Sequence, residues 1–213
     1  MKEEFDAAAT EETLGEHLRE YRPIYKRWWF WAALIPLLLL VALVIYRIPA
    51  VAEQQRTAET VAFIESQRIT LDDVMGTYLP PHPDPSAANA TIEGIDVNQN
   101  GIRDDVELAI FERYPDEPKI RAAMLQYAMA LQQELNLVIN KSSWVAATQQ
   151  IGRAFGCIYE NVESESISDI TSLKNEVEEL VRNTQERNLR YLQLTQFQTT
   201  FSASELENCD VVF

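Results

Sequence analysis

From Trp28 to Tyr46 (WWFWAALIPLLLLVALVIY) the chain runs nineteen residues without a charge. At about 1.5 Å rise per residue, a helix of that length covers about 28 Å, close to the ~30 Å hydrocarbon core of a bilayer. The pattern predicts a membrane-spanning helix. Tyr25, Trp28, Trp29 and Trp31 crowd one end and Tyr46 stands at the other, where amphipathic rings settle at a membrane-water boundary. Pro36 lies inside the run, as a membrane helix tolerates. A buried core helix and a helix lying flat in the interface both call for a different pattern, because this run has no polar face. The remaining alternative is a signal peptide cleaved after Ala52, since Ala50-Val51-Ala52 has the small-x-small form. Against it stand the 27 residues before the run and a run longer than the usual ~7 to 15 residues, so an uncleaved signal anchor is expected.

Elsewhere the apolar positions recur with helical spacing. Leu14, Leu18 and Tyr21 suggest an amphipathic helix from Glu11 to Arg22, within a 1–27 tail. Residues 47–78 read as a helical stalk: Ala52 to Gln67 with Val61 and Ile64 on one face, then a short helix from Leu71 announced by the Thr70/Asp73 capping pair. Four prolines between Pro80 and Pro85 forbid helix and sheet pairing, so residues 79–95 should form an extended linker. Beyond it, Ile120, Met124, Tyr127, Leu131, Leu135 and Val138 form one stripe, and Trp144, Ala147, Ile151, Phe155 and Ile158 a second, with Ser142 or Ser143 as cap. Ile170, Leu173, Val177 and Leu180 open a third helix, and Asn183 with Glu186 signals a restart that carries Tyr191, Leu194 and Phe201. No strand-period run appears. The fold class expected is all-α: one transmembrane helix, then a small helical bundle over residues 96–213. The Gly152/Gly156 spacing suggests close packing of two helices inside that bundle.

Charge orients the chain. Arg19, Arg22, Lys26 and Arg27 precede the apolar run, and only Arg47 and Arg56 follow closely. The basic flank stays in the cytoplasm, which puts residues 47–213 outside. From Ile48 onward 12 Lys+Arg stand against 26 Asp+Glu, a balance of −14. Such a surface repels nucleic acid and anionic head groups and favours divalent cations or basic partners. In an oxidising compartment the two cysteines, Cys157 and Cys209, would bridge; two buried thiols are the alternative.

One stretch carries chemistry. In Asp96-Val-Asn-Gln-Asn-Gly-Ile-Arg-Asp-Asp-Val-Glu107, oxygen side chains stand at Asp96, Asn98, Asn100, Asp104 and Glu107, with Gly101 at the sixth place. A calcium ion takes six to eight oxygens at roughly 2.3–2.6 Å, so alternate side chains of a tight turn must converge on it. The Ile102 carbonyl would add a ligand, and Glu107 would reach back from the first turn of a helix. An Asn-Gly turn ahead of an acidic helix start is the simpler alternative. The stretch resembles the calcium loop of the EF-hand and its relatives, dockerin and thrombospondin type 3 repeats. It departs at the eighth place, where Arg103 replaces the aliphatic residue through which paired EF-hand loops bridge. The resemblance implies a bound Ca2+, and the departure a lone, structural site.

Residues 94–135, together with Asn183-Thr184-x-x-Arg187 and the late Cys209, loosely resemble uncharacterised bacterial envelope proteins. That likeness brings no known activity; with the topology read from charge, the expected place is a bacterial inner (plasma) membrane with a cytoplasmic N-terminus and a periplasmic C-terminal domain. Catalysis is not expected. His82, the one histidine after the apolar run, sits among prolines, and GxSxG, HExxH and GxxxxGK[ST] are all missing. The sequence reads as a membrane-anchored module that docks a protein partner or serves in an assembly, with a calcium-responsive sensor as the alternative.

Overall fold

The computed structural model describes residues 28–162 and 166–213; the helix expected over Glu11–Arg22 and the four N-terminal cations lie outside them. The described residues form eight α-helices and one short 3-10 turn at Thr195–Phe197, and no strand. The chain divides into two units, Met1–Gln54 and Gln55–Phe213.

The first helix, α1 (Trp28–Ser66), runs without a break through Pro36 and Pro49. In the first unit its apolar side chains are largely exposed: Leu39 is 65% exposed and Ile45 61%. Among the described residues this one helix is long and apolar enough to cross a membrane, and none of that window is buried.

The second unit is built around α5 (Pro118–Leu137). The stripe from Ile120 to Val138 predicts one buried face, but every residue from Arg121 to Leu135 is buried. The reason is enclosure, since α2 (Leu71–Met75), α4 (Asp104–Arg113), α6 (Lys141–Asn161), α7 (Ile167–Val181) and α8 (Gln185–Leu194) all pack on α5. One apolar cluster joins α5 to Val106, Ile110, Ile158 and Val177. A second gathers Ile64, Val138, Trp144, Ala147 and Leu194, with Val61 against it. Residues 55–95 thus share the bundle's compact unit. Within the proline-rich stretch a short helix, α3 (Pro85–Ala88), opens on an Asp84 cap.

Caps show how local chemistry sets the ends. Thr70 and Asp73 form the expected capping box of α2. At α6 the cap is Asn140, to which Ser143 returns a bond; at α8 it is Thr184. Asn183 does not cap because its Oδ1 accepts from Arg187 at 2.5 Å and from Arg103 at 3.4 Å. The glycine pair also departs from expectation. A Cβ on Gly156 would strike Asn208 of the C-terminal tail, whereas one on Gly152 would meet nothing within 4 Å. At Gly156 the nearest atoms are thus those of the tail and not of a second helix.

The tail is fastened by several kinds of bond. Cys157 and Cys209 are joined, with Cα atoms 4.8 Å apart. Asp210, with its side chain 1% exposed, receives Arg153 at 2.8 Å and Arg68 at 3.4 Å. Gln126 donates to the Asn208 carbonyl and accepts from the Asp210 amide.

Inside the bundle Glu134 is 7% exposed. Burial lifts its carboxyl to about 7; Arg182 opposes that rise and Glu178 adds to it. The unfolded carboxyl titrates near its ordinary 4.5, so between those values the native state keeps a proton that the unfolded chain has lost. Stability from this group is therefore full below about 4.5 and drains away as pH rises through about 7. Glu134→Gln should raise the unfolding free energy at pH ~8 by ~1–3 kcal/mol and leave it nearly unchanged at pH ~4. Urea denaturation at the two pH values measures both.

Candidate cation-binding loop

Residues 94–107 form a closed turn that leads into α4. Gly94 and Gly101 take positive φ values of +70° and +84°. Gly94 is required twice over, because a Cβ there would lie 2.2 Å from Cδ of Arg103. Side-chain oxygens collect the amides of the turn: Asp96 Oδ2 from Gly101 at 2.9 Å, Asn100 Oδ1 from Ile102 at 2.9 Å, and Asp104 Oδ1 from Val97 at 3.0 Å. The Asp104 amide donates to the Ile95 carbonyl at 2.8 Å and closes the base.

All six residues singled out in the sequence lie within this turn, and of them Asn98 and Asn100 bond directly to Glu107. Asp104 and Glu107 are each 1% exposed, and the Ile102 side chain is fully buried in the core. Glu107 faces two amides, Asn100 Nδ2 at 2.9 Å and Asn98 Nδ2 at 3.1 Å. Two carboxylate oxygens, Asp96 Oδ1 and Asp104 Oδ2, are buried with no hydrogen-bond partner. Burial, more than any neighbour, raises the carboxyls of Asp96 and Asp104 and lifts Glu107 to about 7. These are carboxylates withdrawn from water without a positive partner, and a cation is the group that would balance them. Among the described residues, no three of His, Cys, Asp and Glu converge as a metal-holding group. The loop's oxygens come from three carboxylates, two amides and a carbonyl, and the amides stand against Glu107.

The nearest cation is turned elsewhere. Arg103, 1% exposed, donates to Asp105 at 2.7 and 2.9 Å and to the carbonyls of Val181 and Leu180, each at 3.0 Å. These carbonyls lie at the end of α7, where the helix dipole is negative. The residue that interrupts the EF-hand pattern thus fastens the loop to α7, while its amide donates to Gln132 at 2.8 Å. Arg187, fully buried, does the same for the approach to the loop: it donates to the carbonyls of Ala88, Thr91 and Ile92 and to Asn89 Oδ1. Its one sequence signal is register, since it stands four and seven residues before Tyr191 and Leu194 in an apolar stripe. His82 is remote from this chemistry, 76% exposed and 3.8 Å from Glu112.

The chain matches no protein-family model, no curated protein and no solved structure. Arg103→Lys should destabilise the protein by ~2 kcal/mol, because lysine cannot serve a carboxylate and two carbonyls at once. Arg113→Lys, in a pair with Glu176 where Arg113 is 65% exposed, should cost under ~0.5 kcal/mol. Chemical denaturation of the two variants side by side makes the comparison.

Proposed function

We propose that the protein is a single-pass, membrane-anchored module whose extracytoplasmic helical bundle is locked by one calcium ion and docks a protein partner. The observation that carries it is the pair of buried, unpartnered oxygens, Asp96 Oδ1 and Asp104 Oδ2, in a loop with calcium-ligand spacing. Asp96, Asn98, Asn100, Asp104 and Glu107 supply side-chain oxygens and Ile102 its carbonyl. Three carboxylates give a site of modest affinity, suited to the ~10⁻⁴ to 10⁻³ M range of extracellular modules.

The anchor reading is supported by the exposed apolar helix and by its flanking charges, which favour an outer position for the bundle. The Cys157–Cys209 bond accords with an oxidising compartment. Ala50–Ala52 lies inside the unbroken α1, which favours an anchor that is kept over one that is cut. Arg103 holds the loop to α7 through contacts that need no bound metal ion, which favours a structural ion over a sensor's switch. The acidic surface suits a basic partner, and the role is binding and assembly, not catalysis.

Calcium at ~10 mM should raise the thermal midpoint by roughly 3–10 °C over that in chelator. Asp104→Asn should reverse the order of the two proteins: it relieves an uncompensated buried charge and so unfolds later than wild type in chelator, yet it gains less from calcium. A midpoint that ignores calcium would remove the site. Alkaline phosphatase fused after Phe213 should be active in intact bacteria; a silent phosphatase with a fluorescent cytosolic fusion would sink the topology.

A further inference from the structure

Thr148, Gly152 and Phe155 stand on one side of α6 and line a cleft of about 560 Å³, closed by α7 and by the tail around Phe201. That volume falls within the range of about 300–1,000 Å³ usual for small-molecule sites. Its walls are apolar and incompletely covered: Phe155 is 41% exposed and Phe201 45%. Between them the helix backbone is bare, because a Cβ on Gly152 would meet no atom within 4 Å. Phe201 is set edge-on to Trp144, their centroids 5.7 Å apart. Gln149 holds the same tail segment by donating to the Ser202 carbonyl at 2.9 Å.

The charged groups that line the cleft share one sign. The chain has 33 acidic and 18 basic residues, yet the cleft is lined by two cations, Arg153 and Lys174, and by no carboxylate among the described residues. Lys174, 34% exposed, pairs with Glu178. That carboxylate already has the Tyr127 hydroxyl at 2.8 Å and Arg182 at 3.5 Å, so Lys174 retains ammonium donors for another acceptor. The Thr148 hydroxyl is buried without a partner. Arg153 is spent on Asp210, Gln150 and the Glu207 carbonyl, so Lys174 is the charged donor that faces the apolar cleft, and it calls for an anionic head on an apolar body.

We propose that this cleft binds a single-chain amphiphile with a carboxylate head. Its alkyl chain lies over Gly152 between Phe155 and Phe201, and its carboxylate takes hydrogen bonds from Lys174 and Thr148. The site is separate from the calcium loop and does not depend on it.

The test is equilibrium binding of radiolabelled decanoate to the full chain in phosphatidylcholine nanodiscs, with empty nanodiscs as the blank. Saturable uptake of one decanoate per chain is expected. Lys174→Gln should weaken it about tenfold, as expected for a lost charged hydrogen bond, and decyltrimethylammonium should not compete. Gly152→Leu, which places a side chain in the open space, should also weaken binding at least tenfold without lowering the thermal midpoint. Uptake no greater than the blank would overturn the proposal, as would equal competition by decyltrimethylammonium or wild-type binding by both variants. Should Gly152→Leu lower the midpoint, the Lys174 variant and the cationic competitor still decide.

Discussion

Long segments of the second unit have backbone carbonyls that no helix or strand pairs, and an unpaired carbonyl taken from water costs as much as a lost hydrogen bond. Guanidinium groups meet that constraint. Arg103 serves the end of α7, Arg187 the 88–92 segment, Arg121 the carbonyls of Val74, Tyr114 and Pro115, Arg190 those of Leu135 and Val138, and Arg153 that of Glu207. A guanidinium offers five donors in a rigid fork, so one side chain replaces several backbone bonds. Burying each charge is costly; the return is that an irregular segment has one arrangement rather than many.

This division of labour explains why the acidic loop is left uncompensated. Arg103 belongs to the loop itself and Arg187 grips the segment that leads into it, and both are spent on carbonyls, Asp105 and asparagine oxygens. Asp96, Asp104 and Glu107 are held in place by a scaffold that withholds its own positive charge from them. The turn is shaped by its own hydrogen bonds, which would lower the ordering cost of binding a cation there.

Much of this architecture is legible in residue pattern. The uninterrupted apolar run, the two long stripes and the Thr70/Asp73 pair each encode a local event, and each appears as an element or a cap. The turn over 94–107 is local for the same reason: Asn98 and Asn100 reach Glu107 because they are neighbours in sequence. What pattern does not carry is long-range pairing. Asn183 reads as a cap until two arginines claim its oxygen, and the proline-rich stretch reads as free linker until Arg187, some ninety-five positions on, grips its carbonyls. The burial of Arg121 and Glu134 follows from what surrounds α5, and no stripe along α5 itself reports it.

Asp210 has an effect that reaches beyond the folded state. It receives the amide of Ile69, 141 positions earlier, along with Arg68 and Arg153. Segments that stand 141 positions apart are therefore joined through one carboxylate. Contacts so distant in sequence close slowly, so this junction sets a brake on how fast the bundle can fold.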